Sequence, residues 1–201
     1  MRIALLLLIA SISMAAEIPG RYELHGEREV GSELVLDKSG RFEFILAYGA
    51  ADFQSKGTWK ADGGFVVLTA DKLDAKPIRL VSGAVGKEPG VRVLVKGQNG
   101  RGVENIDVKV GEEQHRTDSE GHADFPEAKA PAKIVLHIPV YEVESEVFEF
   151  KAPNNELTFE INGEAITRVA FDKERLRVNG NALELRFYDK NKPMRYERAA
   201  P

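Results

Sequence analysis

An all-β fold follows from three features of this 201-residue chain. Short runs rich in Val, Ile, Phe, Leu and Tyr recur along its length, and Gly, Asn, Asp or Pro interrupts them about every 8–12 residues, the spacing of a sandwich or barrel. No window sustains the apolar period of a helix. Asn179-Gly180 marks a hairpin, since both central residues of a type I′ turn need positive φ.

The chain opens MRIALLLLIASISMAA. Arg2, the apolar run from Ile3 to Ile12 and the small residues after it have the layout of a secretory signal peptide over residues 1–15. Ser13 and Ala15 fit the small-x-small rule and place the mature N-terminus at Ala16; cleavage after Ala16 is the alternative. The run falls short of the roughly 20 apolar residues of a membrane-spanning helix. No comparable run follows, so no transmembrane segment is expected and the mature protein should be periplasmic or secreted.

From Gly20 the strands GRYEL, SELVLD and RFEFILAY follow in turn, the last two joined by the turn Lys38-Ser39-Gly40. A polar loop over residues 51–56 precedes GTWKA, the turn Asp62-Gly63-Gly64 and FVVLT. This reads as an antiparallel meander, with Phe42, Phe44 and Leu46 on one face, Arg41, Glu43 and Ile45 on the other, and Trp59 as a core anchor. Residues 80–90 lose the period, gather Gly and Pro, and read as a linker. VRVLVK, NIDVKV, a hairpin over residues 117–125, AKIVLHIPVY, SEVFEF and LTFEI are strands again, with Pro126, Pro131, Pro139 and Pro153 at their ends or edges. The last strands are AITRVAF, ERLRV, ALELRFY and MRYER, joined by turns at Asp172-Lys173, Asn179-Gly180-Asn181 and Asp189-Lys190-Asn191.

Composition removes several functions. There is no cysteine, hence no disulfide, thiolate metal site, cysteine nucleophile or N-terminal lipid anchor. Eukaryotic secreted domains more often carry disulfides, so an exported cysteine-free chain suits a bacterial periplasm. A formal net charge of −4 gives no electrostatic footprint for nucleic acid, which calls for a clustered basic patch, and disfavours a membrane surface.

Thr117-Asp118-Ser119-Glu120-Gly121-His122-Ala123-Asp124-Phe125, with the Gly-rich approach at Gly97, Gly100 and Gly102, resembles the signature hairpin of carboxypeptidase-regulatory-like and transthyretin-like β-sandwiches. The resemblance covers about residues 90–163. It implies an accessory or adhesive module. Turn chemistry explains the string independently: Asp118 can bond the backbone ahead of it, Gly121 can take a left-handed conformation, and Phe125 drops into a core. One enzyme among the transthyretin relatives, a hydrolase of purine degradation, ends in Tyr-Arg-Gly-Ser, which Tyr196-Glu197-Arg198 does not match.

The flanks carry a second resemblance. Gly20-x-Tyr22, the turn from Asp37 to Phe42, Tyr48, Gly57-Thr58-Trp59 and Gly64 to Thr69 look like the first half of the small lipocalin-like barrels of bacterial envelope stress lipoproteins. Leu183-Glu184-Leu185, Asp189 to Pro193 and Tyr196-Glu197-Arg198 look like the closing strands. The two resemblances together imply an all-β chain in which a lipocalin-like antiparallel meander or barrel (residues 16–86 and 164–201) carries an inserted transthyretin-like sandwich (residues 87–163); a tail hairpin added to the sandwich is the simpler alternative. The lipoproteins' lipidated cysteine and Cys-x-x-Cys pair are missing here, so anchoring and thiol chemistry do not carry over.

Glu112, Glu113, His115, Asp118, Glu120, His122 and Asp124 form the densest polar constellation. If the loop is residues 118–121, Thr117 pairs with His122 and His115 with Asp124, and two imidazoles and a carboxylate on one face suit zinc, copper or nickel. The plainer reading is a solvated hairpin face. No G-x-S-x-G elbow occurs, Glu142, Glu144 and Glu146 alternate along a strand as its wet face, and the glycines at 97, 100 and 102 lack the Lys-Ser/Thr of a phosphate loop. No catalytic residue or cofactor is expected. A barrel can hold an apolar ligand at its mouth, for which Tyr48, Phe53 and Trp59 are the candidate lining residues, although packed core is their plainer role. The expectation is an exported non-catalytic binding or accessory protein of the bacterial envelope, contacting a protein, glycan or small ligand. The alternative is a periplasmic hydrolase or metal-handling protein built on His115 and His122.

Overall fold

The computed structural model describes residues 18–186 and 192–200; the expected leader and the turn at Asp189-Lys190-Asn191 lie outside them. Strands β1 (Gly20–His25), β2 (Val30–Leu36), β3 (Arg41–Tyr48), β4 (Ala51–Asp62) and β5 (Phe65–Ala70) form a meander. β6 (Ile78–Ala84), β7 (Val91–Gly97), β8 (Asp107–Val110), β9 (Glu113–Arg116), β10 (His122–Phe125), β11 (Ala132–Ile138), β12 (Val143–Glu144), β13 (Phe148–Phe150) and β14 (Glu156–Ile161) follow. A short helix α1 (Gly163–Thr167) leads into β15 (Glu174–Asn179), β16 (Ala182–Leu185) and β17 (Met194–Arg198).

Eight strands close an antiparallel barrel in the order β1-β17-β16-β15-β5-β4-β3-β2. The chain leaves it after β5 and re-enters at β15. The strands between form two further sheets, β10-β7-β14-β6 and β12-β11-β8-β9 with β13 also on β11. β7 and β14 pair in parallel. The inward residues of both sheets, among them Val93, Val95, Val108, Phe125, Leu136 and Phe159, make one core between them.

Alternation sets the barrel wall. In β3, Phe42, Phe44 and Leu46 are buried while Arg41, Glu43 and Ile45 are exposed, as the period-2 pattern requires. The turn into β3 follows from its residues: the Asp37 carboxylate accepts the Ser39 N–H at 2.7 Å, and Gly40 takes φ 82°. Trp59 packs half-buried against the barrel core and donates its indole N–H to the Asp37 carbonyl at 2.9 Å.

The interior is filled. Leu34, Phe42, Phe44, Leu46, Leu68, Leu176 and Tyr196 are almost wholly buried. Phe171, on the segment that returns from the sandwich, sets its ring 5.1 Å from that of Phe44 and 6.0 Å from that of Phe42. The Tyr196 hydroxyl lies 2.8 Å from Ser32 Oγ, which donates to the Ile45 carbonyl at 2.6 Å. An interior of eight strands is narrow enough for side chains of this size to fill.

Four expectations are corrected. Residues 51–56 are the start of β4 rather than a loop; Ala51 and Ser55 are buried and Phe53 half-buried, and their small or polar neighbours masked the alternation. The supposed linker contains β6, an edge strand paired only with β14 and exposed after Ile78, so it had no second face to impose a period. AITRVAF is not a strand: Asn162 caps α1 by accepting the Ala165 N–H at 3.1 Å. Residues 117–125 do not form a ladder within one sheet. They turn a corner between sheets, β9 pairing with β8 and β10 with β7.

Candidate functional site

Register brings together residues remote in sequence. Glu23, Glu33, Ile45 and Gln54 form one cross-strand row over β1 to β4, and Gly31, Ala47 and Asp52 belong to the second row beyond. Both rows point away from the barrel core, as the exposed positions of β3 show. The intervening row, Leu24, Ser32, Leu46 and Phe53, lies beneath them. Because Gly31 and Ala47 contribute almost no side chain, the outer wall is dented, and Thr167 of α1 closes one side. The result is a groove of about 680 Å³, within the few-hundred to 1,000 Å³ range of small-molecule sites.

The groove is one-signed. Glu23, Glu33 and Asp52 bring three carboxylates, and no Lys, Arg or His is among its lining residues. Arg21 bridges Glu23 at 3.4 Å and Glu33 at 2.5 Å. Asp52 has no ion-pair partner among the described residues. The Gln54 amide donates to Thr167 Oγ1 at 3.0 Å and ties the wall to α1.

A second cleft of about 370 Å³ opens at the end of the sandwich, lined by Ile106, Val140, Tyr141, Ile161 and Ile166, with Thr167 again at its edge. The Tyr141 ring meets the Phe53 ring edge-on at 5.8 Å. The two clefts therefore share a wall at Thr167 and abut across an aromatic pair.

Of the expected ligand-lining residues, Phe53 belongs to the groove. Tyr48 is 56% exposed at the end of β3 and Trp59 packs against the core; neither lines the groove. The expected pairing of His115 with Asp124 does not occur, because β9 and β10 belong to different sheets. His115 stacks on Phe125 at 4.7 Å, Asp124 pairs with Arg92 at 2.8 Å, and the buried Nδ1 of His122 has no hydrogen-bond partner. Among the described residues, no group of three His, Asp or Glu side chains is placed to hold a metal ion.

Asp118 serves the corner itself. Its Oδ1 accepts the N–H groups of His122 and Glu120, each at 2.9 Å, and the His122 N–H above all holds the carboxyl below its ordinary range. Gly121 takes φ 83°, and a Cβ there would collide with the Val95 carbonyl. Thr117 Oγ1 donates to the Val103 carbonyl at 2.8 Å and accepts the Ile106 N–H at 3.0 Å.

The groove escaped sequence reading because its rows exist only once register is known. The alternation in β2 and β3 carried part of the signal, but nothing in it indicated which outward residues become neighbours. No family, curated protein or solved structure matches this chain. No helix among the described residues is long and apolar enough to cross a membrane.

Proposed function

We propose that this chain is an exported, non-catalytic binding protein of the bacterial envelope that takes a small, partly apolar ligand in the groove on the outer wall of its barrel. The dented surface around Ile45, Ala47 and Gly31, concave and rimmed by polar groups, is the observation that carries this reading. Ile45 is 56% exposed on that wall, an apolar side chain left uncovered by the described residues. The barrel, an eight-stranded antiparallel closure, is read as lipocalin-like and the inserted sheets as transthyretin-like. Export rests on the charged, apolar and small-residue layout of residues 1–15.

The test uses Nile red, a neutral dye whose emission shifts to the blue in an apolar site. The mature protein should bind it, and Ile45→Asp should weaken binding about tenfold or more, since a charge would replace exposed apolar contact without disturbing the core. Absence of dye binding, or equal binding by the variant, would overturn the proposal. Hydrolytic and metal-handling readings gain nothing from the placement of His115 and His122 in separate sheets.

A further inference from the structure

Resting on that reading, we infer that the ligand is an elongated cationic amphiphile: an ammonium group held at Asp52 in the barrel groove, and an apolar chain running past Thr167 into the cleft at the end of the sandwich. Charge assigns the head. The groove's lining carries three carboxylates, against which only the Arg21 guanidinium stands, already paired to two of them, so the site keeps a net negative charge that favours a cationic head over an anionic one. Arg21 already occupies Glu23 and Glu33, which leaves Asp52 to face the ligand.

Backbone geometry counts against strand addition by a peptide. An extended peptide gains affinity by adding a strand to a free sheet edge. The groove lies on the face of β1 to β4, whose ladders to one another are already closed. It offers no free ladder of strand hydrogen bonds, which suits a ligand recognised by charge and apolar contact.

Contiguity assigns the tail. Thr167 lines both clefts, and Phe53 beneath the first touches Tyr141 of the second. The second cleft is walled by Ile106, Ile161, Ile166 and the exposed Val140, which is 47% accessible. An apolar chain leaving Asp52 thus reaches the second cleft across Thr167, with the Phe53–Tyr141 pair beside the crossing. No segment of the protein among the described residues fills either cleft.

The probes are alkylammonium ions of four to ten carbons and decyl sulfate, below their micelle concentrations, titrated calorimetrically into the mature protein. Decylammonium should bind at least tenfold more tightly than decyl sulfate. Affinity should rise about fourfold per added methylene while the chain still finds protein surface. Asp52→Asn, at an exposed position outside any ion pair, should weaken decylammonium about two- to fivefold at low salt and have little effect at high salt. Val140→Asp should remove the dependence on chain length and leave butylammonium unchanged. Equal binding of sulfate and ammonium, indifference to Asp52→Asn, or indifference of decylammonium to Val140→Asp would each overturn the inference. If Nile red still binds in an Ile45-dependent way, the binding reading survives that failure; if the dye does not bind either, both fall.

Discussion

At the scale of single residues, two carboxyls make opposite demands on pH. Backbone N–H groups, that of His122 first, lower the pKa of Asp118 in the folded state. Its contribution is therefore present above the ordinary carboxylate range and is lost as pH falls through the folded value. Asp118→Ala should lower Tm at neutral pH, and the difference should close in acid. Burial raises the pKa of Glu174, at the start of β15. That group favours the folded state while protonated, and the benefit is lost as pH rises through its folded value. Glu174→Gln should accordingly raise Tm at neutral pH and leave it nearly unchanged in acid; scanning calorimetry at two pH values checks both, and parallel shifts at the two would refute the assignment. Residues of this kind were readable early, since Asp118 and Gly121 act through local turn chemistry. His122 was not, because its neighbours depend on which sheet its strand joins.

At the scale of elements, the segment between α1 and β15 matters more than its irregular backbone suggests. It places Val169 and Phe171 in the barrel core, and the Phe171 carbonyl accepts the Ala70 N–H at 2.8 Å. Phe171→Ala removes a ring packed edge-on against Phe44 and should cost about 3–5 kcal/mol in urea unfolding. A cost under about 1 kcal/mol would mean that the ring does not seal the barrel. Read as part of a strand, this segment gave no such sign, because Val169 and Phe171 reach the barrel core from irregular backbone rather than from a period-2 strand. Strands with one buried face, such as β3, were legible from alternation. The start of β4 and the edge strand β6 were not, for in each the pattern that marks a strand had been diluted, by small polar residues in one case and by exposure in the other.

At the scale of the molecule, the chain is organised around two cores that share no residue. The sandwich cluster draws only on residues 78–166, and the barrel cluster on residues 22–68 together with 169–196. Among the described residues, the side-chain ties between them include the Phe53–Tyr141 edge contact, the Gln54–Thr167 hydrogen bond and the long Lys56–Glu164 pair at 3.8 Å, the last exposed and worth little. Coupling this sparse should leave the two cores to unfold separately. The only tryptophan, Trp59, reports on the barrel alone, whereas far-UV circular dichroism sums both units. Phe159 is fully buried in the sandwich, so Phe159→Ala should move part of the dichroism transition to lower urea, by about 3–5 kcal/mol, and leave the midpoint of Trp59 fluorescence in place. A common shift of both signals would instead make the junction a strong coupler. That outcome would matter for ligand binding, because a groove and a cleft that meet at Thr167 stay aligned only as well as the two cores hold each other. With independent cores, decylammonium should raise the midpoint of whichever core opens first and leave the other in place, since opening either core releases a ligand that spans the junction.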